Sequence, residues 1–226
     1  MSAESGENGV DASALKEFEF TIFDLYTGAE TELRDCLYEM AENLNMPRMK
    51  GPLFSMAHEL AVNALKATYK RVYYKFFLEE VGLDDVPYED WLKLFKTEIE
   101  AHQAENFARV CRDKNLFVKV EGKHHGDMFR IEVMNEGMPS DVEFERLKRI
   151  IQNARERNAP AFIFDDDGDE QKEGGGLGIT LIIMSLRNMG ISPDNFQVVA
   201  EDEKTFARLD LPLEVLLKET GDAAQA

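Results

Sequence analysis

The sequence predicts a single α+β domain, a mixed sheet with helices on one face, and three observations lead there. Runs with two-residue alternation and runs with helical spacing follow one another in the order β, α, α, excursion, β, β, α, loop, α, β, β. The chain has 226 residues and 44% apolar content, enough for one well-packed unit. The ends, 1–15 and 219–226, are small, polar and acidic, so they are expected to be disordered tails around a domain at 16–218.

The first element, "FEFTIFD", alternates as a strand. Thr27 or Thr31 can cap a helix running to about Asn45, and "PRMKGP" at Pro47–Pro52 reads as a turn. From Leu53 a second helix repeats Met56, Leu60, Ala64 and Ala67 on one side and is expected to continue to about Glu80. "DDVPYED" breaks it, and "WLKLFKTEIEAHQAENFARVCRDK" is strongly helical, so about 69–112 forms a helical insertion. "LFVKVEGKHHGDMFRIEVMNEG" reads as a hairpin. A helix follows over about Ser140–Arg157, with Ser140 or Asp141 as cap and Phe144, Leu147, Ile150 and Ile151 as its buried stripe. "DDDGDEQKEGGG" is a loop, the next helix reaches about Met189, and "FQVVAEDEKTFARLDLPL" supplies two final strands.

Charge narrows the function classes. The net charge of −18 repels nucleic acid and anionic membrane, so no nucleic-acid partner and no membrane is expected, and an anionic ligand must be held by local donors. Cys36 and Cys111 have no metal spacing and read as reduced thiols of a cytoplasmic protein. His58, His102, His124 and His125 read as surface residues.

Two stretches carry candidate chemistry. In "FSMAHELAVNALKAT", Glu59, Asn63 and Lys66 lie close to one helix face while Met56, Leu60 and Ala64 point to the core. Such a row can accept a proton, hold magnesium through an amide oxygen and neutralise a phosphate; it can equally be a solvated face. In "KEGGGLGITLIIMSLRNMG", glycines precede a helix, where bare backbone N–H groups suit an anion; a flexible joint is the alternative.

"HELAVNALKAT" resembles the N-box of the GHKL ATPases, the superfamily of gyrase, heat-shock chaperone ATPases and histidine kinases, whose nucleotide unit is the Bergerat fold. "IEVMNEGMP" resembles its first glycine box, "EGGGLGITLI" the second, and "KTFARLDLP" the closing strand. The four stand in the family's order and span roughly Phe18 to Leu213. The resemblance implies a Bergerat-type two-layer sandwich that binds ATP with Mg. Glu59 would be the general base, or would orient the attacking group, Asn63 the magnesium ligand, and Lys66 a phosphate contact. Asn135 and Gly137 would contact adenine. Gly174, Gly175, Gly176, Leu177 and Gly178 would form the phosphate loop, and Thr205 would sit near the base.

The absence of an upstream phosphoacceptor histidine makes the layout similar to stand-alone bacterial anti-sigma factors that act as serine kinases. That implies signal transduction through a regulatory protein partner (a sigma factor, antagonist or response protein) and a possible homodimer. The insertion, with Tyr69–Phe77, Trp91 and Phe95, reads as a helical hairpin packed on itself or as a docking surface.

Three features depart from the family. Asn135 replaces the usual Asp, exchanging a charge-assisted bond for a neutral one about 1 kcal/mol weaker, roughly fivefold in affinity. Pro139 stands at the box's second glycine. The lid, about 160–176, is acidic, with six acids and one lysine over Asp165–Glu173, and is expected to close only over Mg-ATP or a basic partner. Two functions remain open: an ATP-dependent protein kinase of GHKL type, or a catalytically inactive nucleotide-binding or degenerate-pocket module that regulates a partner by binding.

Overall fold

Alternation along five runs builds the sheet, and it buries one face. The computed structural model describes residues 16–24, 28–44, 46–78, 87–98, 104–156 and 176–218. The strands are β1 (Phe18–Ile22), β2 (Val118–His125), β3 (Met128–Glu136), β4 (Phe196–Glu201) and β5 (Lys204–Pro212), in the spatial order β1-β2-β3-β5-β4. Every neighbouring pair is antiparallel, which corrects the expected mixed sheet. The helical crossover from β3 does bring β4 back in the same direction as β3. β5 then inserts between them, so no two parallel strands are neighbours.

The register places Val118, Asn135 and Thr205 in one row and Val120, Val133 and Ala207 in the next. Phe129, Ile131, Leu209, Leu211 and Phe196 share that inner face and are buried with the helices in one core. The opposite face is a charged ladder, with Arg130 paired to Asp210 and Arg208 to Glu132, each at 2.6 Å. Glu121 accepts hydrogen bonds from Lys119 and Lys123, and despite some burial these hold its carboxyl at about 2. Alternation this clean is the mark of a sheet covered on one side only.

The helices are α1 (Ala29–Asn43), α2 (Lys50–Tyr73), α3 (Tyr88–Glu98), α4 (Ala104–Lys114), α5 (Asp141–Glu156), α6 (Leu177–Asn188) and α7 (Leu213–Lys218). α1 starts at Gly28, whose φ of 99° turns the chain without a side-chain cap, so Thr31 is not the cap; Thr27 lies outside the described residues. The Pro47–Pro52 stretch is no simple turn. A 3-10 segment over Pro47–Met49 runs into α2, and Pro52 sits in a first turn that needs no N–H from it.

α2 is the central helix. Leu53, Met56, Leu60, Ala64, Tyr69, Val72 and Tyr73 bury one stripe along it. Beyond Tyr73 it widens to a π-helix over Tyr74–Leu78. Tyr69 and Tyr73 thus belong to α2 and not to the insertion. The insertion's helices pack back on this end, with Tyr69 stacked on Phe107 at 5.7 Å and Phe95 5.7 Å from Tyr73. α3 begins at Tyr88, inside the stretch expected to break the helix, while 99–103, expected to be helical, lie outside the described residues. Arg112 pairs with Asp24, which is 3% exposed, and Tyr69 donates to the Phe23 carbonyl at 2.7 Å; the first contact ties the insertion, and the second α2, to the end of β1.

α5 opens with a reciprocal cap: the Ser140 N–H donates to Glu143 Oε2 at 2.9 Å and the Glu143 N–H to Ser140 Oγ at 3.3 Å. Its stripe, Phe144, Leu147, Ile150 and Ile151, is only half-buried, because Leu147 and Ile150 face a cavity instead of solid core. α7 is absent from the sequence reading; it buries Leu216 fully, and the Leu213 N–H donates to the Asp127 carbonyl at 2.9 Å. His124 and His125 end β2, and the hairpin turn is Gly126–Asp127; His124 is half-buried, its ring edge-on to Phe129, whereas His102 lies outside the described residues.

Among the described residues no helix is long and apolar enough to cross a membrane. Both cysteines are free, and burial pushes the Cys111 thiol up to about 12 against the pull of Arg112.

Candidate functional site

α2 lies across the sheet with α5 and α6 beside it, and the space they leave is a pocket of about 300 Å³. Its inner wall is apolar: Val133 and Ala207 of the sheet, Val198 beyond them, Ile179 of α6, and Leu147 and Ile150 of α5. Glu59, Asn63, Lys66, Asn135, Gly176, Gly178 and Thr205 all line it, although they come from four elements and span most of the domain. Pro139 lines it as well.

Each arrives for a local reason. Glu59, Asn63 and Lys66 climb one edge of α2, beside the buried stripe whose Leu60 and Ala64 line the pocket with them, and Asn63 Nδ2 donates to Glu59 Oε1 at 3.3 Å. That bond uses the amide's donor side and leaves its carbonyl oxygen for another partner. Lys66 is exposed at the mouth. Asn135 is 3% exposed at the end of β3, paired in register with Thr205. Its amide donates weakly to the Glu136 carbonyl at 3.4 Å. Thr205 Oγ1 donates to the Gly137 carbonyl at 2.8 Å, so its hydroxyl is occupied in holding the β3–α5 loop.

The glycines at α6 have two different jobs. Gly176 is the N-cap, with φ 64°, and a Cβ there would come within 2.6 Å of Ile150. Gly178 has ordinary backbone; a Cβ would lie 2.6 Å from Glu59 Cγ and closer still to the carboxyl group. Gly178 is therefore bare because Glu59 lies against the first turn of α6. A carboxylate is favourable at a helix N-terminus. Two expected positions stand elsewhere: Leu177 is 44% exposed and Gly137 does not line the pocket. Gly174, Gly175 and the acidic stretch through 175 lie outside the described residues.

The sequence reading missed three cations. Lys70, Arg71 and Arg146 join Lys66 in the lining, against the carboxylates Glu59 and Glu143. The pocket is thus a basic locality on a chain of net charge −18. Lys70 and Arg71 follow Lys66 by about one turn of α2, a spacing visible in the sequence but outside the motif considered. Burial pushes the Glu143 carboxyl up, but the Lys70 ammonium, by charge and hydrogen bond, together with the Ser140 N–H and hydroxyl, holds it at about 2. Arg71 donates to the Glu136 carbonyl; burial pulls its guanidinium below the usual range, against the Glu143 charge.

Among the described residues no group of three or more His, Cys, Asp or Glu could hold a metal. Of the oxygen donors in the lining, Glu143 is engaged by Lys70 and Ser140 and the Thr205 hydroxyl by Gly137, whereas the Asn63 amide and the Glu59 carboxylate stand side by side. Two hard oxygen donors suit magnesium, which keeps several waters and is completed by phosphate oxygens.

No family model matches the chain, and no solved structure matches it. A Treponema pallidum (strain Nichols) protein described as uncharacterized is 30% identical over 178 residues, 75% of this chain and 32% of that protein. The chain therefore spans about a third of the length of the curated relative it matches.

Proposed function

We propose that the pocket binds Mg-ATP and that the protein is a regulatory kinase of the histidine-kinase-like ATPase type, passing the γ-phosphate to a serine of a partner protein. One observation carries the reading: the residues of four short, separated motifs line a single cavity with an apolar inner wall and a basic mouth. An apolar slot with few polar groups suits a planar base, and cations suit a polyphosphate.

Asn135 offers an amide at the apolar end, where a base amino group would find its oxygen. Lys66 and Arg146 would neutralise phosphate charge, and Gly176 would let backbone N–H groups approach it. Asn63 would hold magnesium through its amide oxygen, and the ion, when bound, would supply charge neutralisation on the phosphates. Glu59 would take the proton of the attacking hydroxyl, and positioning would contribute most of the rate. The partner would be a sigma factor, an antagonist or a response protein in the cytoplasm, and the kinase a homodimer.

A second reading, binding without turnover, is favoured by Gly137, which lies outside the pocket lining, and by Pro139, which lies within it. Calorimetric titration with Mg-ATP and Mg-ADP tests the shared claim. Wild type should bind both and Asn63→Ala should lose about tenfold or more; no heat on wild type refutes the kinase and nucleotide-binding readings and leaves the degenerate-pocket module. γ-Labelled ATP in a host lysate separates them, because only the kinase labels a partner and Glu59→Ala abolishes that label.

A further inference from the structure

On the far side of Arg71 lies a second cavity, of about 750 Å³, open to solvent. Its apolar wall is Val72 and Phe76 at the end of α2, Leu116 after α4 and Met138, and its charged wall is Lys75, Lys114 and the β4–β5 turn with Lys204. Arg71 lines both this cavity and the pocket. Its guanidinium donates to the Glu136 carbonyl, and its side chain lies so close to Gly137 that a Cβ there would come within 2.7 Å of Nε. Gly137 is fixed from the other side, where its N–H donates to the Glu203 carbonyl and its carbonyl accepts from Thr205. The partition is a built feature, held by three elements.

From this we infer that Arg71 is a specificity-determining gate: it closes the pocket beyond Asn135 and excludes ligands that carry a substituent on the edge that Asn135 reads. This rests on the nucleotide reading above. The Asn135 amide and the Arg71 guanidinium both donate to the Glu136 carbonyl, so a group extending past the Asn135 amide runs into that guanidinium. With Arg71 shortened, the pocket opens into a cavity whose Phe76, Val72 and Met138 walls suit an apolar substituent. Burial already draws the guanidinium below its usual range, as expected of a charge seated in a wall and not in solvent.

The test uses ATP and N6-benzyl-ATP, both with magnesium, titrated calorimetrically on the full chain. Arg71→Ala and Arg71→Val remove the guanidinium and shorten the side chain in two ways, and Arg71→Lys keeps most of its length and a donor for the Glu136 carbonyl. Wild type and Arg71→Lys should prefer ATP by about tenfold or more, and either shortened variant that melts cooperatively should bring the benzyl compound to within about threefold of ATP. Selectivity that is unchanged in the shortened variants, or lost in Arg71→Lys, overturns the gate while leaving ATP binding standing. A wild type that gives no heat with either nucleotide overturns the nucleotide reading, and the gate with it.

Discussion

Replacing Gly178 by alanine separates two opposing effects whose sizes can be worked out. In an α-helix the change normally stabilises by up to about 1 kcal/mol, and less near the first turn. Here the new methyl would come within 2.6 Å of Glu59 Cγ and closer to its carboxyl group, so Glu59 must turn away. That costs the Asn63–Glu59 hydrogen bond, about 1 kcal/mol, and a rotamer change of about 0.5–1.5 kcal/mol. The sum is a net destabilisation of about 1 kcal/mol. In a Glu59→Ala background the obstacle is gone and the same substitution should stabilise, giving a coupling of about 2 kcal/mol between the two sites. Gly51→Ala is the control: it lies in the first turn of α2 with nothing within 4 Å of its Cβ, and should stabilise by up to about 1 kcal/mol. Urea melts of the four Glu59/Gly178 combinations read the coupling directly. Equal stabilisation by Gly178→Ala in both backgrounds would refute the placement of Glu59 against α6.

Other positions give independent checks. Glu143, held at about 2 against an ordinary 4.5, contributes stability that is complete above about pH 4.5 and lost as pH falls towards 2. Wild type should therefore lose up to roughly 2 kcal/mol more than Glu143→Gln between pH 5 and 2.5 in acid titrations of stability, and parallel curves would contradict the Lys70 and Ser140 contacts. The β4–β5 turn places Asp202 and Glu203 at φ 51° and 59°, so Asp202→Asn with Glu203→Gly should raise the melting temperature by about 2–4 °C. An unchanged or lower midpoint argues against that turn. Arg112→Ala removes an ion-pair contact to the buried Asp24 carboxylate and should cost about 1–3 kcal/mol in chemical denaturation, whereas Asp24→Asn should cost less.

Element types were legible where a pattern repeats over many residues, as along α2 or the hairpin of β2 and β3. Strand direction was not: it depends on β5 inserting between β3 and β4, a long-range pairing that no local period records. The start of α1 was missed because Gly28 turns the chain through its backbone, not through a threonine side chain. α7 was missed because six residues after a proline-ended strand are too few for a helical period to show. At the site, Glu59, Asn63, Asn135, Gly176 and Thr205 could be read from their order. Arg71 could not, because its role comes from Gly137, 66 positions away in the numbering, and glycine gives no sign of which side chain lies over it. The job of Gly178 was hidden for the same reason: the residue it makes room for, Glu59, lies on another helix.

The central claim, that these separated residues form one nucleotide site, is tested most directly by amide chemical-shift mapping of the full chain titrated with Mg-ATP. The account predicts saturable shifts at Asn63, Asn135, Gly176, Gly178 and Thr205, with Lys123, Arg130 and Arg208 on the charged face of the sheet unmoved. Shifts confined to that charged face, or none at saturating nucleotide, would contradict it.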